Sequence, residues 1–217
     1  MDVAIRVREI GRSRRAAPFL VVLDGPEYAR RLSLPRLLER LVREQHVPPH
    51  RLALVVPDDR LETYSASAAY AAALVSALDD LTGRRRGRRV GVGSSLGGLA
   101  LFHAHRVDPH AFSGLFLQSG SYFRRRTDPQ EARFPRFGRV DRFVRGAVGG
   151  EAERRVPTTL TCALEEENYA NNAALAQALA RQGYPVEFHA ARGGHDWPTW
   201  RRALEAHLPA LLRRVWR

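Results

Sequence analysis

The chain has no lysine and only one cysteine among its 217 residues. All 35 basic residues are therefore arginines, which together with abundant Ala, Gly and Pro is typical of a GC-rich genome. Cys162 has no second cysteine with which to form an intrachain disulfide, so nothing in the composition indicates an oxidising compartment.

Long hydrophobic runs are also absent. No apolar stretch approaches the roughly 20 residues that a membrane span requires, and the start of the chain, Met1 to Arg6, lacks the apolar core of a secretory signal. We therefore expect a cytoplasmic protein without membrane contact. With 44% hydrophobic residues, residues 1–217 are expected to form a single domain with a substantial core.

The net charge of +12 raises the question of nucleic-acid binding. The arginine bias already accounts for this charge. The densest basic run, Arg84–Arg89, also lacks interleaved aromatic side chains that could stack on bases. We expect this run to be a solvated loop and expect no nucleic-acid partner, although a positive field could still attract an anionic substrate.

Short apolar strands alternate with helical patterns along the chain. The predicted strands are Phe19–Leu23, Leu52–Val56, Val90–Gly93, Ala111–Leu117, Leu160–Ala163 and Val186–Ala190. The predicted helices are Leu34–Arg43, Ala66–Leu78, Leu96–His105, Asn172–Arg181 and Pro198–Val215. This alternation predicts an α/β fold with a mostly parallel sheet covered by helices on both faces.

Ser119–Arg155 interrupts the alternation. It is rich in Arg, Gly and Pro, and it also contains several aromatic residues, Tyr122 and Phe123 among them. A long irregular insertion in a compact domain is usually functional or disordered. Two interpretations stay open: a solvated connection with a few packed rings, and a flap over residues 119–155 that lines a substrate site.

The most informative motif is Gly93-Ser94-Ser95-Leu96-Gly97-Gly98, which lies between a predicted strand and a predicted helix. Strand, Gly-x-Ser-x-Gly and helix is the layout of a nucleophile elbow, a tight turn that pushes the serine hydroxyl outward. The motif predicts that Ser95 is the nucleophile of an acyl-transfer enzyme.

A serine nucleophile needs a base within hydrogen-bond reach, and histidine is the usual one. Of the eight histidines, His195 follows a Gly-rich loop just past the carboxyl end of a predicted strand, where open parallel sheets place their active sites. His46 and His50 flank a Pro-Pro loop and are expected at the surface. His195 is therefore the candidate base.

An acid must orient the base, and three carboxylates, Glu165, Glu166 and Glu167, follow the predicted strand at Leu160–Ala163. The order serine, acid, histidine is that of α/β-hydrolases. Adjacent acids also suit a helix amino terminus, where the helix dipole favours negative charge. Both interpretations can hold together, because one acid would suffice for His195.

The chain resembles the enterochelin-esterase-like, or esterase D type, branch of the α/β-hydrolase superfamily. Besides the Ser95 motif, the resemblance rests on Val22-Leu23-Asp24-Gly25, Leu117-Gln118-Ser119-Gly120-Ser121 and Gly193-Gly194-His195-Asp196-Trp197 with Trp200-Arg201. It runs from about Phe19 to the carboxyl terminus. It implies an α/β-hydrolase fold, here with a sheet shortened at its amino-terminal edge.

The resemblance also implies roles for individual residues. It makes Ser95 the nucleophile, His195 the base and Glu166 the acid, with Glu165 selected if the alignment shifts by one residue. Leu96 would supply one oxyanion amide. Relatives take the second from the residue after Asp-Gly, which here is Pro26 and has no N–H to donate.

Glu27 or Gly25 would then have to replace the missing amide. The candidate substrate contacts are the aromatic residues Tyr28, Tyr122 and Trp197. No metal or organic cofactor is implied.

The expected activity is hydrolysis of a small-molecule carboxylic ester through an acyl-enzyme. A siderophore ester is the most specific expectation, because the family includes siderophore esterases and arginines of Ser119–Arg155 could meet an anionic substrate. The alternatives are acyl transfer to another alcohol and a non-catalytic binder that keeps the scaffold. The sequence does not indicate an oligomeric state.

Overall fold

The computed structural model describes residues 2–12, 17–82 and 88–216, and a seven-stranded sheet runs through its centre. The strand order is β1-β3-β2-β4-β5-β6-β7, in which β1 is antiparallel to β3 and every other neighbouring pair is parallel. The strands are β1 Ala4–Ile10, β2 Phe19–Val22, β3 His50–Val56, β4 Arg89–Ser94, β5 Gly114–Gln118, β6 Thr158–Ala163 and β7 Val186–Ala191.

Helices cover both faces of this sheet, because the central strands are apolar on both sides. Within β2, for example, Val21 belongs to one buried cluster and Leu20 to the other. Helices α3 to α7 contribute to the first cluster, and α1, α2 and α8 contribute to the second. The helices are α1 Gly25–Arg31, α2 Leu34–Arg43, α3 Arg60–Tyr64, α4 Ala68–Thr82, α5 Leu96–Val107, α6 Phe137–Gly149, α7 Tyr169–Arg181 and α8 Trp197–Trp216.

The predicted α/β class is confirmed, and each predicted strand and helix has a counterpart within a few residues. The sequence did not predict β1, whose seven residues are mostly exposed and include charged side chains. An edge strand of this kind lacks the apolar run that marks the inner strands. The short helices α1 and α3 were not predicted either.

The segment Ser119–Arg155 is more regular than expected. It contains a 3-10 helix at Pro129–Arg133 and the thirteen-residue helix α6. In α6, Phe137, Val140 and Val144 recur at helical spacing and are buried, so the expectation of an irregular insertion is wrong for this part.

Two expectations of solvent exposure also need correction. His50 is fully buried and its ring packs against Trp216, so it is not a surface histidine. Arg89, at the end of the basic run, is buried at the start of β4 and forms an ion pair with Asp79 at 2.8 Å. Residues 84–87 of that run lie outside the described residues.

No helix in the described part of the chain combines the length and the apolar character needed to cross a membrane.

Candidate active site

Ser95 occupies the turn between β4 and α5 in a strained backbone conformation, with φ 54° and ψ −124°. A non-glycine residue at positive φ is uncommon and is typical of functional turns. Gly93 makes the turn possible, since a Cβ there would lie 2.5 Å from the carbonyl oxygen of Gly97. The turn therefore has the geometry expected of a nucleophile elbow.

His195 and Glu166 are joined by a hydrogen bond of 2.7 Å between the Nδ1 atom and Oε2. His195 lies in the loop after β7, and Glu166 lies in the turn after β6, so both come from the carboxyl ends of neighbouring strands. The Glu166 side chain is buried while the imidazole is partly exposed. Glu166 therefore holds the Nδ1 atom of His195, while the imidazole ring stays partly accessible from the cavity.

Of the three candidate acids, only Glu166 contacts the imidazole in the described structure. Glu165 instead accepts a hydrogen bond from the Gly193 amide at 3.3 Å, and both Glu165 and Glu167 are exposed. The structure thus pairs His195 with the acid that the resemblance selected.

Ser119 and Trp200 hold the Glu166 carboxylate in place. The Ser119 hydroxyl donates to Glu166 Oε1 at 2.7 Å, and the Trp200 indole N–H donates to the same hydroxyl at 3.0 Å. The amide of Ala163 also donates to Oε1, at 3.0 Å. Burial raises the pKa of Glu166, but the hydrogen bonds from His195, Ala163 and Ser119 outweigh it and keep this pKa below its ordinary value.

The sequence motifs contained Ser119 and Trp200 but gave neither a role. The Trp200 ring also packs edge-on against the His195 ring, with 5.0 Å between centroids. One tryptophan thus contacts His195 directly, by ring packing, and Glu166 indirectly, through Ser119. The Ser119–Trp200 contact depends on the packing of α8 against the end of β5, and these elements lie far apart in the sequence.

The two candidate oxyanion amides, those of Leu96 and Gly25, both lie at helix starts. Leu96 begins α5 and Gly25 begins α1, and neither amide donates a backbone hydrogen bond within the described part of the chain. The Glu27 amide, in contrast, donates to the carbonyl oxygen of Asp24 at 3.0 Å. Of the two candidates for the amide lost at Pro26, Gly25 is therefore the one with a free N–H.

An ion pair fixes the loop that carries Gly25. Both carboxylate oxygens of Asp24 accept hydrogen bonds from Arg60, each at 2.9 Å, and the Asp24 amide donates to the Tyr64 hydroxyl at 3.2 Å. Asp24 is buried with φ 55°, a left-handed conformation that needs support. A Cβ on Gly97 would lie 3.1 Å from Asp24 Oδ2, so this loop packs directly against the elbow.

The three aromatic residues expected to contact substrate lie elsewhere. Tyr28 is fully buried and donates its hydroxyl hydrogen to Gln118, and Tyr122 is buried beneath Gly120. These two residues belong to the core, so the expectation is wrong for both. Trp197 is half-buried against the Tyr28 ring and is not among the residues lining the cavity at Ser95.

Ser95 and His195 open into one cavity of about 380 Å³. The expected arginines of Ser119–Arg155 do not line it. Arg124, Arg125 and Arg126 border a separate cavity instead, together with Asp141 and Arg145. The lining of the cavity at Ser95 consists of Ser95, Ser121, Phe123, Glu131, Glu165, Glu166, Glu167, Asn168, Gly194 and His195.

The segment Ser119–Arg155 thus contributes three of the lining residues, Ser121, Phe123 and Glu131. The Ser121 and Ser95 hydroxyl oxygens lie 3.2 Å apart, within hydrogen-bond distance. Across the described ranges 2–12, 17–82 and 88–216, no three His, Cys, Asp or Glu side chains converge in a way that could hold a metal ion.

Comparison with solved structures places this geometry in a known fold. The enterochelin esterase of Shigella flexneri superposes with a TM-score of 0.82 at 24% identity, over 98% of this chain and 55% of that chain. A ferulic acid esterase superposes with a TM-score of 0.72 at 16% identity, over 98% of both chains. The chain has the α/β-hydrolase fold. Fluorophosphonate-binding serine hydrolase F of Staphylococcus aureus also matches, with a TM-score of 0.70 at 14% identity over 98% of this chain and 99% of that chain.

The chain spans about half the length of the enterochelin esterases it matches. No protein-family model matches its sequence, and no curated protein does so. The sequence-based expectation of this fold is confirmed by the structural matches.

Proposed function

We propose that the protein is a serine hydrolase of carboxylic esters, with Ser95 as nucleophile, His195 as base and Glu166 as acid. The observation that carries this proposal is the 2.7 Å hydrogen bond between His195 and the buried Glu166, in the same cavity as a serine on a strained strand-to-helix turn. The three side chains come from distant parts of the sequence and line one cavity, which supports their assignment to acyl transfer.

In the proposed reaction, His195 takes the hydroxyl proton of Ser95 as the oxygen attacks the ester carbonyl. The tetrahedral intermediate then expels the alcohol, which receives that proton from the imidazolium. A water molecule, deprotonated by His195, then attacks the acyl-enzyme. The imidazolium returns this proton to the Ser95 oxygen as the carboxylic acid is released. Glu166 holds the Nδ1–H and stabilises the imidazolium in both steps.

The oxyanion of each tetrahedral intermediate would be held by the amides of Leu96 and Gly25. Both lie at the first residue of a helix, so the helix dipole adds to the attraction for negative charge. The Gly25 amide donates no backbone hydrogen bond within the described residues, so we assign it as the second donor in place of Pro26, which has no N–H. Loss of one such donor typically costs on the order of 100-fold or more in turnover.

The proposal is tested with purified protein, p-nitrophenyl acetate and a fluorophosphonate probe. We expect hydrolysis and covalent labelling by the wild type, and neither by Ser95→Ala. Ser76→Ala is the matched control, because Ser76 is exposed on α4 and should leave both unchanged. Equal labelling of Ser95→Ala, or no labelling and no hydrolysis by the wild type, would contradict the proposal.

A further inference from the structure

The candidate active-site cavity is acidic although the protein as a whole is strongly basic. Four of its ten lining residues are glutamates and none is arginine, in a chain that carries 35 arginines and a net charge of +12. Glu166 is engaged with His195. The other three, Glu131, Glu165 and Glu167, leave negative charge facing the cavity.

Glu131 and Glu167 come from different parts of the fold. Glu131 lies in the 3-10 helix of Ser119–Arg155, whereas Glu167 lies in the turn that precedes α7. Within the described residues neither carboxylate has a hydrogen bond or an ion pair. Burial, the charge of Glu167 and the charge of Asp128 together raise the pKa of Glu131. Bringing these like charges together costs stability that no arginine in the cavity offsets.

The helix dipole of α7 accounts for only part of this negative charge. Glu165 and Glu167 precede that helix and gain from its amino terminus, but Glu131 belongs to another element and faces the same space. Phe123 also lines the cavity and adds an aromatic ring that can bind a cation. A positively charged ligand would relieve the repulsion between the carboxylates, and an anionic one would increase it.

On the basis of the proposed function, we propose that the enzyme prefers esters that carry a positive charge, such as a quaternary ammonium group. Glu131 and Glu167 are the residues that determine this preference. The ligand site itself is marked independently by Ser95 and His195, so the carboxylates select among esters rather than define a site. This substrate class is opposite in charge to the anionic esters suggested by the composition.

The preference is measured with two pairs of esters of equal shape. Acetylcholine and 3,3-dimethylbutyl acetate differ in the charge of the alcohol. The p-nitrophenyl esters of trimethylglycine and of 3,3-dimethylbutanoic acid differ in the charge of the acyl group. For each pair, kcat/KM of the cationic ester is divided by kcat/KM of the neutral ester. This ratio is compared between the wild type and Glu131→Gln/Glu167→Gln, because differences in the intrinsic reactivity of the two esters then cancel. Glu151→Gln/Glu153→Gln is the control, because it makes the same change of net charge at exposed residues outside the cavity.

We expect the cationic-to-neutral ratio of at least one pair to fall about tenfold in the Glu131→Gln/Glu167→Gln variant, as partly screened unit charges at close range predict. The ratio should stay unchanged in the control and should fall as NaCl is raised with the wild type. An equal fall in the control would overturn the inference, and so would a ratio that Glu131→Gln/Glu167→Gln leaves unchanged for both pairs of esters. If the neutral esters are hydrolysed and this ratio does not depend on Glu131 and Glu167, only this inference is overturned. If the wild type shows neither hydrolysis nor fluorophosphonate labelling, the proposed function is overturned as well.

Discussion

Arg60 donates a hydrogen bond to each carboxylate oxygen of Asp24, and this ion pair connects α3 to the loop that carries the Gly25 amide. Each hydrogen bond is 2.9 Å long, and Asp24 is buried. The bidentate geometry fixes the orientation of the carboxylate as well as its position. A Cβ on Gly25 would lie 2.5 Å from Leu54, so the loop has no room to shift toward β3.

Replacing Arg60 by Gln should lower kcat for p-nitrophenyl acetate by about tenfold or more while KM changes little, because a displaced oxyanion amide weakens transition-state binding. In this prediction Arg60 is a positioning residue, which acts through Asp24. The affinity for a trifluoromethyl ketone, which forms an oxyanion adduct on the serine, should fall in parallel with kcat/KM. Arg60→Lys should recover only part of the loss, because lysine cannot bind both oxygens in the same way.

Arg139→Gln is the matched control for Arg60, since Arg139 forms an ion pair with Glu62 on the same short helix, at 2.8 Å. This variant should keep both kcat and inhibitor affinity. An equal loss in Arg139→Gln would mean that Arg60 only stabilises α3 and does not position the oxyanion amide.

Replacing Ser119 by Ala should lower kcat/KM about tenfold, because Glu166 loses one of the donors that orient it toward His195. Trp200→Phe removes the indole N–H and part of the ring but keeps the Ser119–Glu166 hydrogen bond, so its effect should be smaller. Since Trp200 donates to Ser119, the two effects should not add in the double variant.

The His195 Nδ1–H proton resonance gives a readout that a general loss of stability would not move. It should shift in Ser119→Ala relative to the wild type while the protein stays folded by circular dichroism. Additive kinetic effects, together with an unshifted proton resonance, would contradict a positioning role for this pair of residues.

Acid should destabilise the fold between about pH 6.5 and pH 4, because three histidines are buried in neutral form. Burial lowers the pKa of His50, His103 and His105 to about 4. Below pH 6.5 these histidines bind protons in the unfolded chain but stay neutral in the folded protein. The contribution of these histidines to stability is therefore lost as pH falls through this window, by up to about 3 kcal/mol per histidine, and this loss is complete near pH 4.

Urea unfolding at a series of pH values measures this loss. His103→Gln should flatten the pH dependence, because it removes one titrating group and the His103 ring has no hydrogen-bond partner in the described part of the chain. His46→Gln, at an exposed position, is the control and should leave the curve unchanged. A pH dependence identical in the wild type and in His103→Gln would refute this assignment.

The elements that the sequence predicted well are those whose signal is local. Leu34–Arg43 was predicted with its observed bounds because leucines recur along one face and Pro35 suits the first turn. The Ser95 elbow was predicted because Gly93 and Gly97 flank the serine between a strand and a helix. In contrast, β1 has an exposed, charged edge pattern and gives almost no local signal.

The aromatic residues show where local signals mislead. Tyr28 and Tyr122 lie in motifs next to the candidate site, which suggested substrate contact. Each side chain instead turns into the core, where Tyr28 bonds to Gln118. A motif gives the position of a residue along the chain, but the direction of its side chain depends on the packing of neighbouring elements.

The sequence by itself determined the α/β class and the order of Ser95, the acid cluster and His195, because these depend on hydrophobic periodicity and on residues adjacent in the chain. Only the tertiary structure decided which glutamate pairs with His195, which amide near Pro26 is free, and which charges face the cavity. Those features depend on distances of a few ångströms between elements far apart in sequence. Glu131 and Glu167 illustrate this, since they lie 36 residues apart in the sequence and only folding places them at the same cavity.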